Sequence, residues 1–195
     1  MYFVVGLGNP GAEYENSRHN VGMTVLIRVR EGIKFPSWEE GSDKSAYISS
    51  GTVGRERVTL ILPQVFMNKS GNAVKKQVDS LKKAEKLIVI YDDLDLPFGA
   101  LKISFGKSSG GHKGLDSIIK TVRTKDFVRI RIGVSPVTPG GKLKKPKGDK
   151  RVLDFLMGNF TKSENKILDG VTKKTQEVLE VIIQEGREKG MTLYN

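Results

Sequence analysis

The chain opens with a short apolar run, Tyr2 to Val5, and drops at once into Gly6-Leu7-Gly8-Asn9-Pro10-Gly11. The run reads as a β-strand, and its three glycines carry the backbone through a tight turn where side chains would obstruct a close approach. The Gly6-x-Gly8-x-x-Gly11 spacing matches the dinucleotide-binding fingerprint. That fingerprint opens a helix immediately and meets an acidic residue about 20 positions further on. Here Pro10 and a polar run from Glu13 to Asn20 delay apolar periodicity until Val21. The next convincing strand, Val58 to Leu62, ends in Pro63-Gln64 and not in an acid. A nucleotide cofactor is therefore not expected.

The rest of the chain alternates strand and helix patterns. Val21, Val25, Leu26 and Val29 recur at helical spacing, and Ala46 to Val53 with Val58 to Leu62 reads as a hairpin about Gly54-Arg55-Glu56. Ser70 is a candidate N-cap for a helix with Ala73, Val74, Gln77, Val78 and Leu81 inward. Leu87 to Ile90 is a continuous apolar run, as in a strand buried on both faces of a central sheet. Leu101 to Phe105 is a further strand, and Leu115, Ile118, Ile119 and Val122 mark a helix. Phe127 to Val134 alternates apolar residues with Arg129 and Arg131, the pattern of a half-buried strand with a basic face. Pro136 to Arg151 reads as a lysine-rich loop. Thr161-x-x-Glu164 is a capping box for a last long helix with Leu168, Val171, Thr175, Val178, Leu179 and Ile182 inward. The expectation is one α/β domain over residues 1–195, with no repeat.

Composition narrows the function classes. The chain has no cysteine, which removes disulfides and thiolate–metal sites, and its two histidines are far apart in sequence. No apolar run is long enough to span a bilayer, and the N-terminus lacks a secretory pattern, so a cytoplasmic globular protein is expected. Lys and Arg number 33 against 22 Asp and Glu, a formal charge of +11, which favours a polyanionic partner.

Polar groups concentrate in four places. Asn9, Tyr14, Arg18, His19 and Asn20 crowd together, and a histidine, with an unperturbed pKa of about 6.5, suits a general base. Phe66-Met67-Asn68 lies between a strand and a helix. Asp92, Asp93 and Asp95 follow a strand, where they could hold a cation, orient a base or simply shape a turn. Gly106 to Gly114 leads into a helix. Its Gly106-Lys107-Ser108 lacks the earlier glycine of a P-loop, because Leu101 stands there. Glycine-rich amides at a helix start can still hold a phosphate.

Taken together, these motifs resemble bacterial-type peptidyl-tRNA hydrolase nearly end to end. The resemblance rests on Gly6 to Gly11 with Tyr14 and Arg18-His19-Asn20; on Phe66-Met67-Asn68-x-Ser70-Gly71; on Asp92-x-Leu94-Asp95-Leu96-Pro97; and on Gly110-Gly111-His112-x-Gly114. Arg129 to Gly133 and Val152 to Phe160 add to it. It implies a twisted mixed β-sheet flanked by helices on both faces, and hydrolysis of the ester joining a peptide to the 3′ adenosine of tRNA. It implies His19 and Asp92 as the catalytic pair and Asn9 as the discriminator of an N-blocked peptidyl group. Substrate contacts fall to Tyr14, Phe66, Met67 and Asn68, and a tRNA-facing surface to His112, Lys113, Lys102 and Arg131. No metal or cofactor is implied, and the family is usually monomeric.

One position departs from the family pattern: Lys113 stands where asparagine is usual, so a group that only donates replaces one that donates and accepts. Two other function classes are weighed. An RNA-binding scaffold of this fold, as in chloroplast group II intron splicing factors, would not need Asn9, His19, Asn68 and Asp92 together. A serine esterase would need a Gly-x-Ser-x-Gly elbow, and none is read here.

Overall fold

The structure, a computed structural model, describes residues 1–195. The first strand, β1 (Tyr2–Gly6), leads through a loop and a 3-10 turn (Arg18–Asn20) into helix α1 (Val21–Gly32). Three strands follow: β2 (Glu39–Glu40), β3 (Ala46–Val53) and β4 (Glu56–Pro63). A second 3-10 turn (Met67–Lys69) runs into the short helices α2 (Ser70–Lys75) and α3 (Leu81–Ala84). Then come β5 (Leu87–Pro97), β6 (Leu101–Phe105), α4 (Lys113–Val122) and β7 (Val128–Ser135). The chain finishes with α5 (Asp149–Met157), α6 (Lys162–Glu185) and α7 (Arg187–Tyr194).

All seven strands form one sheet in the order β2-β3-β4-β1-β5-β7-β6. β1 pairs in parallel with β4 and β5, and β5 with β7; the outer pairs β2–β3, β3–β4 and β6–β7 are antiparallel. Side chains alternate across the pleat. Val4, Ile88 and Ile90 therefore enter a core of 27 buried residues shared with α1 and α6. Phe3, Val5, Leu87 and Val89 enter a core of 17 on the other face, shared with α2 and α4. Helices thus cover both faces, and the mixed sheet expected from the sequence is present.

Helix α1 lies hard against the central strands. A Cβ added at Gly22 would sit 2.2 Å from the Ile90 carbonyl oxygen and 2.9 Å from Leu7 N. Leu7 N donates to Ile90 O at 2.9 Å, and Met23 N donates to Leu7 O at 3.0 Å. Only glycine permits this approach, which brings the end of β1 and the start of α1 onto Ile90 of β5, just ahead of that strand's acidic stretch. Ligands of open α/β sheets bind at the C-terminal end of the strands.

Three local expectations change. The helix after Ser70 stops at Lys75. Ser80, in extended conformation, caps α3 separately through its hydroxyl, and Leu81 is exposed. Ser70 itself is the first residue of α2, with Lys69 at the N-cap, and its hydroxyl donates to Met67 O at 2.8 Å. The polar stretch ending at Arg151 turns helical at Asp149. The capping box of α6 forms on both arms, from Glu164 N to Thr161 Oγ1 and from Thr161 N to Glu164 Oε2.

Candidate active site

A cleft of about 1280 Å³ opens at the C-terminal ends of the parallel strands. It is lined by the turn after β1, the turn after β4, the end of β5, the glycine-rich loop before α4, and α5. Asn9, His19, Phe66, Met67, Asn68, Asp92, His112, Lys113 and Arg131 all reach it. Tyr14 and Lys102 do not. Tyr14 stands behind Phe66, ring edge to face at 6.5 Å, and Lys102 is exposed on β6 opposite Arg131.

Asn9 is clamped on three sides. Its N–H donates to Asn20 Oδ1 at 2.8 Å, its carbonyl accepts from Asn20 Nδ2 at 2.9 Å, and its Oδ1 accepts from Met67 N at 2.7 Å. The last bond orients the amide, so Nδ2 remains as a donor toward the cleft. Gly8 makes the arrangement possible, since a Cβ there would meet Met23 Cβ at 2.9 Å and Asn20 Cγ at 3.0 Å.

His19 lies on the first 3-10 turn and is buried. Its Nδ1 donates to Asp92 Oδ1 at 2.8 Å, which leaves Nε2 facing the cleft without a protein partner. Burial works to lower the pKa of this imidazole, but the charge of Asp92 and its hydrogen bond outweigh burial, and the net is a rise above 6.5. Lys113 opposes that rise. For Asp92 burial works upward, yet the charges and hydrogen bonds of His19 and His112 hold the carboxyl well below the usual carboxylate range. Burial, with help from Asp93, pushes the Tyr91 phenol up to about 12, which removes it as a proton carrier near neutral pH.

The three aspartates in the C-terminal part of β5 take different partners. Asp92 takes the two histidines, Asp93 takes Arg131 Nε at 2.6 Å, and Asp95 takes Lys145 Nζ at 2.6 Å. Only Asp92 is fully inside the site. Residues whose donor atoms could hold a metal are His19, Asp92 and His112, all within 4.8 Å of one another. A metal would have to break the hydrogen bonds that already join these atoms, and those bonds suit a carboxylate that orients a base.

One expected placement is corrected and another gains detail. His112 lines the cleft but is largely covered by its neighbours. Its side chain is 8% exposed, and its Nε2 bonds Asp92 Oδ1 at 3.1 Å. Arg129 does not lie on a solvent face. It is fully buried, packed over Phe127, and donates to the carbonyls of Ser108 and Lys125 at 2.8 and 3.3 Å. It brings a cation without a carboxylate partner to the floor of the cleft. The letters Gly-x-Ser-x-Gly do occur, as Gly106-Lys107-Ser108-Ser109-Gly110, but they form an extended loop that precedes α4 and not a strand-to-helix elbow. Neither serine hydroxyl bonds a histidine; that of Ser109 accepts from Gly111 N.

Known proteins are similar to this chain in sequence and in fold. The family model described as Peptidyl-tRNA hydrolase matches residues 3–195. The Peptidyl-tRNA hydrolase of Thermodesulfovibrio yellowstonii is 40% identical over 200 residues, spanning 100% of this chain and 99% of that relative. That of Pseudothermotoga lettingae is 39% identical over 196 residues, spanning 100% and 97%. The crystal structure of peptidyl-tRNA hydrolase from Acinetobacter baumannii superposes with a TM-score of 0.86 at 26% identity, covering 100% of this chain and 94% of that one. No helix here is long and apolar enough to cross a membrane. With a full-length family match and relatives of this identity over its whole extent, the chain belongs to the peptidyl-tRNA hydrolase family.

Proposed function

We propose that this chain hydrolyses the ester between the peptide and the 3′-terminal adenosine of peptidyl-tRNA, with His19 as general base. The observation that carries the reading is the buried His19–Asp92 pair, whose free Nε2 opens on the same cleft as the clamped Asn9. Nε2 takes a proton from water as the water oxygen attacks the ester carbonyl. The imidazolium returns that proton to the departing ribose oxygen, and the products are a peptide carboxylate and free tRNA. Asp92 holds the tautomer and balances the transient positive charge. Asn9 Nδ2 donates to a carbonyl of the peptidyl group, which distinguishes N-blocked substrates from free aminoacyl-tRNA. Asn68, exposed on the cleft rim, positions water or carbonyl, and Phe66, backed by Tyr14, offers a stacking surface for the terminal base.

The partner is the acceptor stem and 3′ end of peptidyl-tRNA, bound by a monomer in the cytoplasm. Support comes from the cationic lining of the cleft, where Lys69, Lys107, Lys113, Arg129, Arg131, Lys145 and Lys150 outnumber the acids. Release of tRNA from an N-blocked aminoacyl-tRNA tests the reading. His19→Ala should lower turnover by roughly 10²–10⁴-fold, the range for a lost general base, while tRNA affinity persists. Near-normal turnover by a folded His19→Ala protein, or equal release from unblocked aminoacyl-tRNA, would overturn it.

A further inference from the structure

Asp92 Oδ1 accepts two hydrogen bonds, from His19 Nδ1 at 2.8 Å and from His112 Nε2 at 3.1 Å. The second donor is fixed at its far side by a helix. His112 is the N-cap of α4, and its Nδ1 accepts from Gly114 N at 3.2 Å and Leu115 N at 3.3 Å. First-turn amides have no acceptor within their own helix, so an N-cap normally supplies a side-chain oxygen. Here a ring nitrogen does so. A nitrogen that accepts two N–H bonds carries no proton, and the neutral ring must hold its proton on Nε2, toward Asp92. The ring is also boxed in: Tyr91 meets it edge-on at 5.0 Å, and the His19 ring lies 5.1 Å away.

We propose that His112 is a positioning residue of the hydrolytic site: the N-terminus of α4 sets its tautomer, and its Nε2–H pins Asp92 Oδ1 where His19 Nδ1–H needs an acceptor. This rests on the reading of His19 as the base. Because one oxygen serves both rings, His112 also draws off part of the carboxylate charge that would otherwise act on His19. The charged or titratable groups of the cleft that His19 faces come from every element around it. Asp92 comes from β5 with Tyr91 beside it, while Asp93 there is tied to Arg131 and Asp95 to Lys145. His112 and Lys113 come from the start of α4 and Lys107 from the loop before it, Lys69 from the second 3-10 turn, Arg129 from β7, and Asp149 and Lys150 from α5. Arg18, on its own turn, is directed away to Glu164.

Two substitutions separate the arms of the imidazole. Asparagine places its Oδ1 where histidine has Nδ1, so His112→Asn keeps the cap and loses the bond to Asp92. Glutamine places its Nε2 where histidine has Nε2, so His112→Gln keeps the donor and loses the cap. The expected result for His112→Asn is a melting temperature nearer the parent's than that of His112→Gln, KM within about twofold, and kcat lower by about tenfold, the scale of one charge-assisted hydrogen bond. Its acidic limb of kcat/KM should move to higher pH, since His19 then has Asp92 to itself. His112→Gln should melt earlier yet keep kcat and pH profile near those of the parent. The opposite pattern, with full activity and an unmoved profile in His112→Asn, would reduce His112 to a helix cap and overturn the proposal. A measurement free of substitutions covers the case of misfolded variants. Nitrogen-15 NMR of the parent at about pH 8 should show His112 Nδ1 as the unprotonated nitrogen; the other tautomer overturns the proposal. Turnover of His19→Ala in the same series isolates failure of the base assignment from failure of this one.

Discussion

Replacing Asp92 by asparagine is the sharpest perturbation of this site, because it removes a charge and keeps the shape. Two outcomes are open to the new amide. With Oδ1 left in place it still accepts from His19 Nδ1 and His112 Nε2, now at 2.8 and 3.1 Å, and both tautomers survive. Flipped, it sets an NH₂ against two buried N–H donors, each of which then loses its partner at a cost of about 1–3 kcal/mol. Two donors on one oxygen thus resist the flip. What remains lost is the charge-assisted part of the His19 bond, the excess of a charged over a neutral hydrogen bond, on the order of 1–1.5 kcal/mol, or roughly five- to fifteenfold in kcat. That is milder than the ~10⁴-fold loss of a serine-protease triad whose Asp→Asn change reverses the histidine tautomer. The pH profile moves too. The pKa of His19 is raised because Asp92 outweighs burial, and activity needs the neutral imidazole, so the parent should lose activity as pH falls through a midpoint above 6.5. Without the carboxylate, burial and Lys113 both act downward, and the acidic limb should shift to lower pH. The assay is kcat/KM against pH for release of an N-blocked aminoacyl group. A loss near 10⁴-fold, or an acidic limb that stays put, would refute the locked-amide reasoning.

Lys113→Asn should leave an active enzyme with a modestly altered KM and an acidic limb moved to higher pH, because the ammonium opposes protonation of His19; a collapse of turnover at saturation would give Lys113 a chemical task. Replacing Lys142, Lys144, Lys145 and Lys147 with serine should flatten the slope of log affinity against log salt by up to about 0.7–0.9 per lost phosphate contact, sparing kcat. An unchanged slope would leave RNA attraction to Arg131 and its neighbours. Gly22→Ala should destabilise the fold by about 1–3 kcal/mol through overpacking, read by chemical denaturation, since its methyl would meet the Ile90 carbonyl at 2.2 Å. Wild-type stability in that variant would mean that α1 can shift without cost.

The regular elements were legible wherever one physical rule decided them. The continuous apolar run Leu87 to Ile90 is central because both its faces are covered, and Thr161-x-x-Glu164 forms its box because the pattern is local. The pattern after Ser70 predicts too long a helix because apolar periodicity continues to Leu81, while the chain leaves the helix after Lys75 and Ser80 starts a separate one. The choice among Asp92, Asp93 and Asp95 was not legible. Successive strand residues point to opposite sides, and each carboxylate meets its partner from a segment distant in sequence. The bond of His112 to Asp92 was not legible for a related cause. Its cap on α4 is local, but the carboxylate beside its Nε2 comes from 20 positions earlier in the chain. Arg129 was misread because alternation describes the pleat and says nothing of the loop at Ser108 that covers it.

The clamps that build the cleft join residues far apart along the chain: Asn9 to Met67 across 58 positions, and His19 to Asp92 across 73. No segment holds a working subset of them. β1 must already lie between β4 and β5 before either clamp can close. Loop closure over such spans is slow and costs entropy that local contacts do not repay. The hydrolytic geometry is therefore a late product of folding, formed together with the central sheet and lost with it. Titration with denaturant should show catalytic activity and far-ultraviolet circular dichroism disappearing along one curve, which makes turnover itself a reporter of global cooperativity.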